Sequence, residues 1–413
     1  MPPASASTPA PSTTVGMEPA LAARSRSQSL WVMAVLATLM AFGSISTDLY
    51  LPAMPQMARD LGAGTGVMEF TISGYLVGFS LGQLLWGAVS DRVGRRWPIA
   101  IGILLFILGS AGCAMAATAP QVVGWRVVQA IGACAGVVLS RAMVRDLFPR
   151  EQAAQKLSML IVIMAAAPLV GPLVGGQLLV IASWHWIFWL LVAIGLVTLV
   201  ALFTVPETLA PAQRDADAVR RAIGRYGELL RDRRIIASAG IGGFFYAGAF
   251  AYIAGTPFAF ITYYHVPPRL YALLFGAAIL GIMAVNLLNA RLAPRFGSGR
   301  LLRWGAGLAA VTGIAAAITA ATGWGGLAGL AVPLLLFCAL NGLIVANSLA
   351  AALSAWPERA GAASALVGAI HYGSGIVGSA LLGVLADGTP WPLGLIVALG
   401  GLGSLACTRL LPR

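Results

Sequence analysis

Charge is scarce in this chain of 413 residues. Asp, Glu, Lys and Arg together make up 10% of it, against 59% hydrophobic residues. A soluble domain carries about 25% charged residues, and one as apolar as this would expose large greasy patches and aggregate. Lipid is the natural solvent for such a sequence. Cysteine pairing is lacking too. Cys113, Cys134, Cys338 and Cys407 sit singly in apolar stretches with no CxxC spacing. That argues against a disulfide framework or a zinc site and for small buried hydrophobes. Three scattered histidines, with no HExxH and no paired carboxylates in the apolar runs, leave a membrane-embedded enzyme without a catalytic cluster. No GxxxxGKS/T phosphate loop occurs, so ATP is not implied as an energy source. No cofactor and no metal is expected.

Long apolar runs are what the chain has instead. A helix needs about 20 apolar residues to cross a bilayer core of roughly 30 Å. Spans are predicted near 29–51, 68–89, 97–116, 121–142, 157–180, 185–205, 236–262, 270–290, 301–320, 327–350, 360–385 and 391–409. Residues 1–28, rich in Ser, Pro, Ala and Thr, read as a disordered cytoplasmic tail. Arg24 and Arg26 precede the first run, which reads as a membrane anchor rather than a removed signal because more spans follow.

Placement of the basic residues gives the topology. With the N-terminus in the cytoplasm, 23 of the 26 Lys and Arg residues fall on the cytoplasmic side. Arg59 and Arg269 fall outside, and Arg126 lies within a span. Such a bias sets orientation and predicts both ends inside. It also accounts for the net charge of +12 through loops facing anionic headgroups, without nucleic acid. The longest internal polar stretch, 207–235, divides the spans six and six and has partly helical apolar spacing, as in a surface helix. Four parts are therefore expected: the tail 1–28, an N-terminal six-helix lobe 29–206, a cytoplasmic linker 207–235 and a C-terminal lobe 236–413 with a short tail. Lobes of this kind place a substrate site between them at the midplane. A short internal match, Arg92-Val93-Gly94 with Arg295-Phe296-Gly297, supports the repeat.

Ionisable groups in a bilayer core cost about 2.5–3.5 kcal/mol each on insertion scales and are functional candidates. Three stand out: Asp48 in span one, Arg126 in span four and His371 in span eleven. A carboxylate partly removed from water can hold and release a proton near neutral pH. Alternatively, Asp48 is wet at the outer end of its span, capping the break at Pro52 and Pro55. Arg126 is a permanent cation that could pair with Asp48, bind backbone or take an anionic substrate; alternatively it snorkels to the headgroups. Gln129 lies one turn on, on the same face. His371 could relay protons, but packing beside Tyr372 is the favoured reading. Phe244, Phe245, Tyr246 and Tyr252 among small residues could line a cavity for flat lipophiles, or simply pack helices. Tyr50 and Tyr75 are weaker cavity candidates. The run SWHWIFW, Ser183 to Trp189, reads as an interfacial aromatic belt.

The loop GAVSDRVGRR resembles the signature between spans two and three of the major facilitator superfamily, with matches at Gly87, Asp91, Arg92, Gly94, Arg95 and Arg96. Its glycines would permit a tight turn and close helix approach. Asp91 would pair with an arginine or sit at a helix terminus, latching the inward side, with Arg141 and Arg145 as possible partners. RVVQAIG, Arg126 to Gly132, resembles the family's span-four motif. GPLVGG, with Gly171, Pro172, Gly175 and Gly176, resembles the span-five antiporter motif, with Ala167 where the family has its opening glycine. TDLYLPAMP, Thr47 to Pro55, resembles the span-one signature of drug/proton antiporters, near the bicyclomycin/chloramphenicol-resistance exporters. The resemblance covers about residues 30–410. It implies an all-α membrane protein of twelve transmembrane helices in two six-helix lobes, working by alternating access in the bacterial inner membrane. Its implied partners are a small lipophilic drug, phenicol- or bicyclomycin-like, protons and the bilayer; a monomer is expected. It also implies that Asp48 and Arg126 serve proton and drug binding. A proton-coupled importer of a sugar or small metabolite on the same fold is the alternative.

Overall fold

In lipid the backbone must satisfy its own hydrogen bonds, so apolar runs of this length become helices. A computed structural model describes residues 26–356 and 360–411, which contain helices and no strand. Most of the predicted tail, with Arg24, Arg359 and Arg413, lies outside the described residues; Arg26 already opens the first helix. The first half of the chain forms α1 (Arg26–Asp48), α2 (Met54–Asp60), α3 (Thr65–Val93), α4 (Arg96–Ala114), α5 (Ala119–Leu147), α6 (Arg150–Ile181) and α7 (His185–Leu202). A short α8 (Ala218–Leu229) follows within the polar stretch. The second half forms α9 (Arg233–Thr256), α10 (Pro268–Phe296), α11 (Ser298–Thr322), α12 (Gly326–Ala339), α13 (Asn341–Ala355), α14 (Ala360–Leu385) and α15 (Trp391–Cys407).

Eleven stretches among the described residues are long and apolar enough to cross a membrane, and α6 supplies a twelfth, shorter apolar segment, Ala166–Ile181. Its first half carries Lys156 and other polar residues, and Pro168 and Pro172 interrupt its interior. The helices gather into two lobes: α1 and α3 to α7 pack together, as do α9 to α15. The lobes meet along α3 against α14 and α6 against α10. At one end of this seam α8 touches both α3 and α14, and its Tyr226 hydroxyl donates to Leu84 O at 3.1 Å.

The short internal match has a structural counterpart. Helices α3 and α10 are each 29 residues long and end at Gly94 and Gly297. Both glycines have positive φ, 101° and 74°, and both amides close onto the carbonyl four residues back. A Cβ is strained at such angles, so the repeated glycine follows from the repeated turn.

Each lobe's first spanning helix is broken at proline, which lacks the N–H a helix interior needs. In the N-lobe α1 stops at Asp48, a 3₁₀ turn over Leu51–Ala53 contains Pro52, and α2 resumes with Pro55. In the C-lobe α9 gives way at Pro257 to a π-helical segment, Pro257–Tyr263. The two breaks face each other, with α2 packed against the π-helical segment.

Candidate functional site

The break after α1 places backbone and side chains of residues 46–50 in the interior of the N-lobe. Asp48 is only 5% exposed, so the wet-end reading does not hold. It sits there because α6 approaches through its glycines. A Cβ on Gly171 would lie 3.3 Å from Asp48 Cβ, and one on Gly175 only 1.9 Å from Leu49 O. Two glycines of GPLVGG thus seat α6 directly against the broken α1, with Pro172 buried between them. Gly176 faces α10 of the other lobe, 3.6 Å from Pro268 O by the same measure.

Arg126, on the third turn of α5, is fully buried and does not snorkel. Its Nη1 donates to Ser46 O at 2.7 Å and to Gln129 Oε1 at 2.6 Å. Gln129 passes the chain on, donating from Nε2 to Ser110 Oγ at 2.7 Å. The guanidinium lies between two aromatic faces, 4.3 Å from the ring centroids of both Tyr50 and Tyr75. A desolvated cation–π contact is worth about 2 kcal/mol or more. The two phenols are held in turn: Tyr50 Oη shares a hydrogen bond with Thr71 Oγ1 at 2.9 Å, and Tyr75 Oη donates to Gly43 O at 3.1 Å. Arg126 Nε and Nη2 have no partner. No ion pair joins Arg126 to Asp48 in this conformation; the three among the described residues all lie elsewhere. The arginine is held by backbone, amide and aromatic faces, with two donors to spare.

An aromatic path leads from this site to the other lobe. Tyr75 stacks near Phe79 with centroids 6.0 Å apart, and Phe79 meets Tyr372 of α14 at 4.6 Å. Tyr372 reaches Tyr246 and Phe250 of α9, and Tyr246 meets His371 at 5.0 Å. Of the span-seven aromatics, Tyr246 therefore faces the seam. The other three do not. Phe244 is 48% exposed on the bundle's outer surface. Phe245 stacks on Phe337 inside the C-lobe, and Tyr252 on Phe275. Helical periodicity explains the division, because neighbours in one helix point about 100° apart.

His371 is buried, with Nε2 3.4 Å from Ser348 Oγ and pressed so closely by Gly242 that a Cβ there would overlap its ring. Packing accounts for it. In the run SWHWIFW, Trp184 is buried and donates to Asp60 Oδ2 at 3.0 Å, whereas Trp186 and Trp189 are exposed as a belt requires.

The GAVSDRVGRR loop is tied down by charged contacts at the end of the bundle where α8 lies. Asp91 pairs with Arg95 of its own loop, not with Arg141 or Arg145. The Arg95 Nε also reaches Asp146 Oδ2 of α5 at 2.9 Å. Glu207, just after α7, accepts from the amides of Arg95 (2.9 Å), Arg96 (3.0 Å), Thr208 (2.9 Å) and Leu209 (3.0 Å). Partial burial acts to raise the Glu207 pKa, but these four backbone donors outweigh it and hold the carboxyl below its ordinary 4.5. Close approach is real at Gly94, where a Cβ would lie 2.8 Å from Glu207 Oε2; at Gly87 there is open space. Arg92 is exposed and Arg96 donates to Phe203 O.

Sequence reading missed several members. Glu69, in VMEFTISGY, is a fourth ionisable group within a span and only 4% exposed. Its position near the start of span two hid it, though a lone carboxylate in an apolar run was the available signal. Glu207 and Asp146 gave no local signal, since their partners are far along the chain. The pair Asn347 Nδ2 to Asn289 Oδ1, 2.7 Å, is likewise a contact of sequence-distant residues.

Two lobes of six apolar spans each, with α12 and α13 forming one span (Gly326–Ser354), proline-broken first helices and a buried polar centre beside the seam are the build of a membrane transporter. The chain belongs to the Major Facilitator Superfamily, whose family model matches residues 30–379. It is 36% identical over 377 residues to the uncharacterised MFS-type transporter YdgK of Bacillus subtilis (strain 168), covering 90% of this chain and 93% of that one. It is 26% identical over 362 residues to a bicyclomycin resistance protein homolog of Haemophilus influenzae, covering 87% and 90%. The structure superposes on that of a D-xylose–proton symporter with a TM-score of 0.74 at 18% identity, covering 94% of this chain and 98% of that one.

Proposed function

We propose that this transporter exports lipophilic drugs in exchange for protons, by alternating access across the bacterial inner membrane. The observation that carries the proposal is the buried Arg126, sandwiched by Tyr50 and Tyr75 with Nε and Nη2 unpartnered, beside a carboxylate seated on the glycines of α6. The arginine-rich end, with both termini, faces the cytoplasm, as the positive-inside bias requires. The relative named for bicyclomycin resistance supports export of a compound of bicyclomycin or phenicol type. Unpartnered N–H donors suit carbonyl or anionic acceptors on such a drug, and the path through Phe79, Tyr246 and Tyr372 offers it flat apolar walls. Asp48 carries the proton. Ionised, it draws on Arg126, its nearest permanent cation across the α1 break; protonated, it releases that attraction and the lobes rock. Glu207 and the Asp91–Arg95 latch hold the cytoplasmic end of the N-lobe rigid during the swing. The lobe boundaries 29–206 and 236–413 belong to the same proposal.

Resistance in a pump-deficient bacterial host tests it. Wild type at matched expression should raise the inhibitory concentration of at least one phenicol or bicyclomycin-like compound several-fold, and Asp48→Asn should return it to the vector level. Protection by neither protein against any member of a broad panel would turn attention to metabolite transport.

A further inference from the structure

The end of the seam opposite the arginine-rich loops holds a small cleft of about 60 Å³. That is room for about two waters and far too little for a drug. Its walls come from both lobes: Thr65 and Glu69 of α3, Phe258 and Ala259 of the π-helical segment, and Leu382 and Pro392 of α14 and α15 are among them. Here the lobes are shut tightly. A Cβ on Gly66 would lie 2.2 Å from Gly383 O, and lower down Ser73 Oγ bonds Ser379 Oγ at 2.8 Å across the seam.

Into this closure points an orphaned carboxylate. Glu69 is buried and its Oε2 has no hydrogen-bond partner. Among the described residues no arginine or lysine lines the cleft. The titratable groups near it are Tyr263, on its wall, and Asp387, whose Oδ1 is taken by Thr389 N and Oγ1. From α2 come Arg59, which is exposed, and Asp60, which is bound by Trp184. The ionisable groups of the other helices packed on α3 lie further along it. They include Arg126, opposite Tyr75, with Arg141, Arg145 and Asp146 of α5, Arg96 of α4, His371 of α14, the arginines and Glu228 of α8, and Arg233 and Arg234 at the start of α9. Glu69 is also the fifth residue of α3, beyond the first turn where the helix dipole favours an anion. An unpaired buried carboxylate ion costs far more than its neutral acid.

We infer that Glu69 is a proton latch of the outer gate, distinct from the Asp48–Arg126 centre. Closure of α3 onto the π-helical segment and α14 takes one proton from the outside solvent onto Glu69. Opening re-wets the carboxyl and returns that proton to the same solvent, so the latch moves no net proton across the membrane. Acid outside therefore favours the closed gate. The latch rests on the alternating-access part of the export reading and not on drug or antiport.

Cysteine accessibility tests it in the full chain in intact cells. Ala259→Cys, buried in the cleft wall, reports opening through its labelling rate with a membrane-impermeant maleimide; Leu382→Cys does so from the other lobe. Each is compared with and without Glu69→Gln between external pH of about 5.5 and about 7.5. Dividing one rate by the other cancels the reactivity of the thiol itself. The ratio should climb with pH, by up to about tenfold per unit, the limit for one linked proton, and Glu69→Asp should keep the climb. A flat ratio at both reporters overturns the latch. The readout needs no drug, so loss of resistance with an intact climb would remove the export reading and leave the latch.

Discussion

The two lobes share a plan but not their chemistry. Every ionised or ionisable carboxylate or guanidinium buried within a described span belongs to the N-lobe: Asp48, Glu69 and Arg126. The C-lobe interior answers with polar contacts, His371 against Ser348 and Asn347 on Asn289, and with stacked aromatics. Its broken helix ends on Thr256 ahead of Pro257, where the N-lobe helix ends on Asp48 ahead of Pro52. Duplicated architecture thus carries two chemistries, with the buried charges in one lobe and polar contacts and aromatic walls in the other. Burying charge costs several kcal/mol per group; the break after α1 helps meet that cost for Arg126, because Ser46 O near the end of α1 accepts from it.

The contrast can be broken most forcefully at Arg126. Arg126→Ala should abolish resistance, a loss of about tenfold or more at matched expression. It should also lower stability, because Ser46 O and Gln129 Oε1 lose a charged donor, at about 1–3 kcal/mol for each group left unpaired. Arg126→Lys should rescue little of either, since an ammonium cannot lie flat between two rings and serve both acceptors. Drug resistance and thermal unfolding in detergent read the two effects. Next comes Gly175→Val, whose side chain must push α6 off Leu49 O. Overpacking of this kind costs about 1–3 kcal/mol, and transport should fall several-fold. The same measurements on Gly87→Ala should show no change, because that position faces open space.

Glu207→Gln should have a smaller, pH-dependent effect on unfolding. A carboxyl held below its ordinary value adds stability above the unfolded-state pKa and loses it as pH falls through the lower native one. The Tm gap between wild type and variant should therefore be full above about pH 4.5 and close as the medium is acidified below it. Least affected should be His371→Asn, which leaves the charged lobe untouched; resistance within about twofold of wild type is expected. A large loss there would contradict the division between lobes.

Much of the architecture was legible because lipid imposes it. Apolar runs set the spans through solvation alone, and the repeat at Gly94 and Gly297 is a local turn requirement. Asp48 and Arg126 were visible as charges in costly places, yet what holds Arg126 was not, since Tyr50, Tyr75 and Ser46 come from other helices. Direction within a helix was the weaker inference: Phe244 to Tyr246 form one cluster in the sequence and face three different surroundings in space. Asp91 shows the same limit: Arg141 and Arg145 were the partners expected, and the geometry pairs it with Arg95 of its own loop. Glu69 was overlooked because a carboxylate near a span's edge reads as wet until the opposite lobe is seen to cover it.

Proton movement in everted membrane vesicles tests the central claim most directly. With a pH gradient imposed across vesicles containing the wild-type protein, adding a substrate drug should dissipate the gradient at once, and Asp48→Asn vesicles with the same amount of protein should not respond. Dissipation that persists undiminished in Asp48→Asn, or drug transport by wild type with no proton movement, would contradict the account.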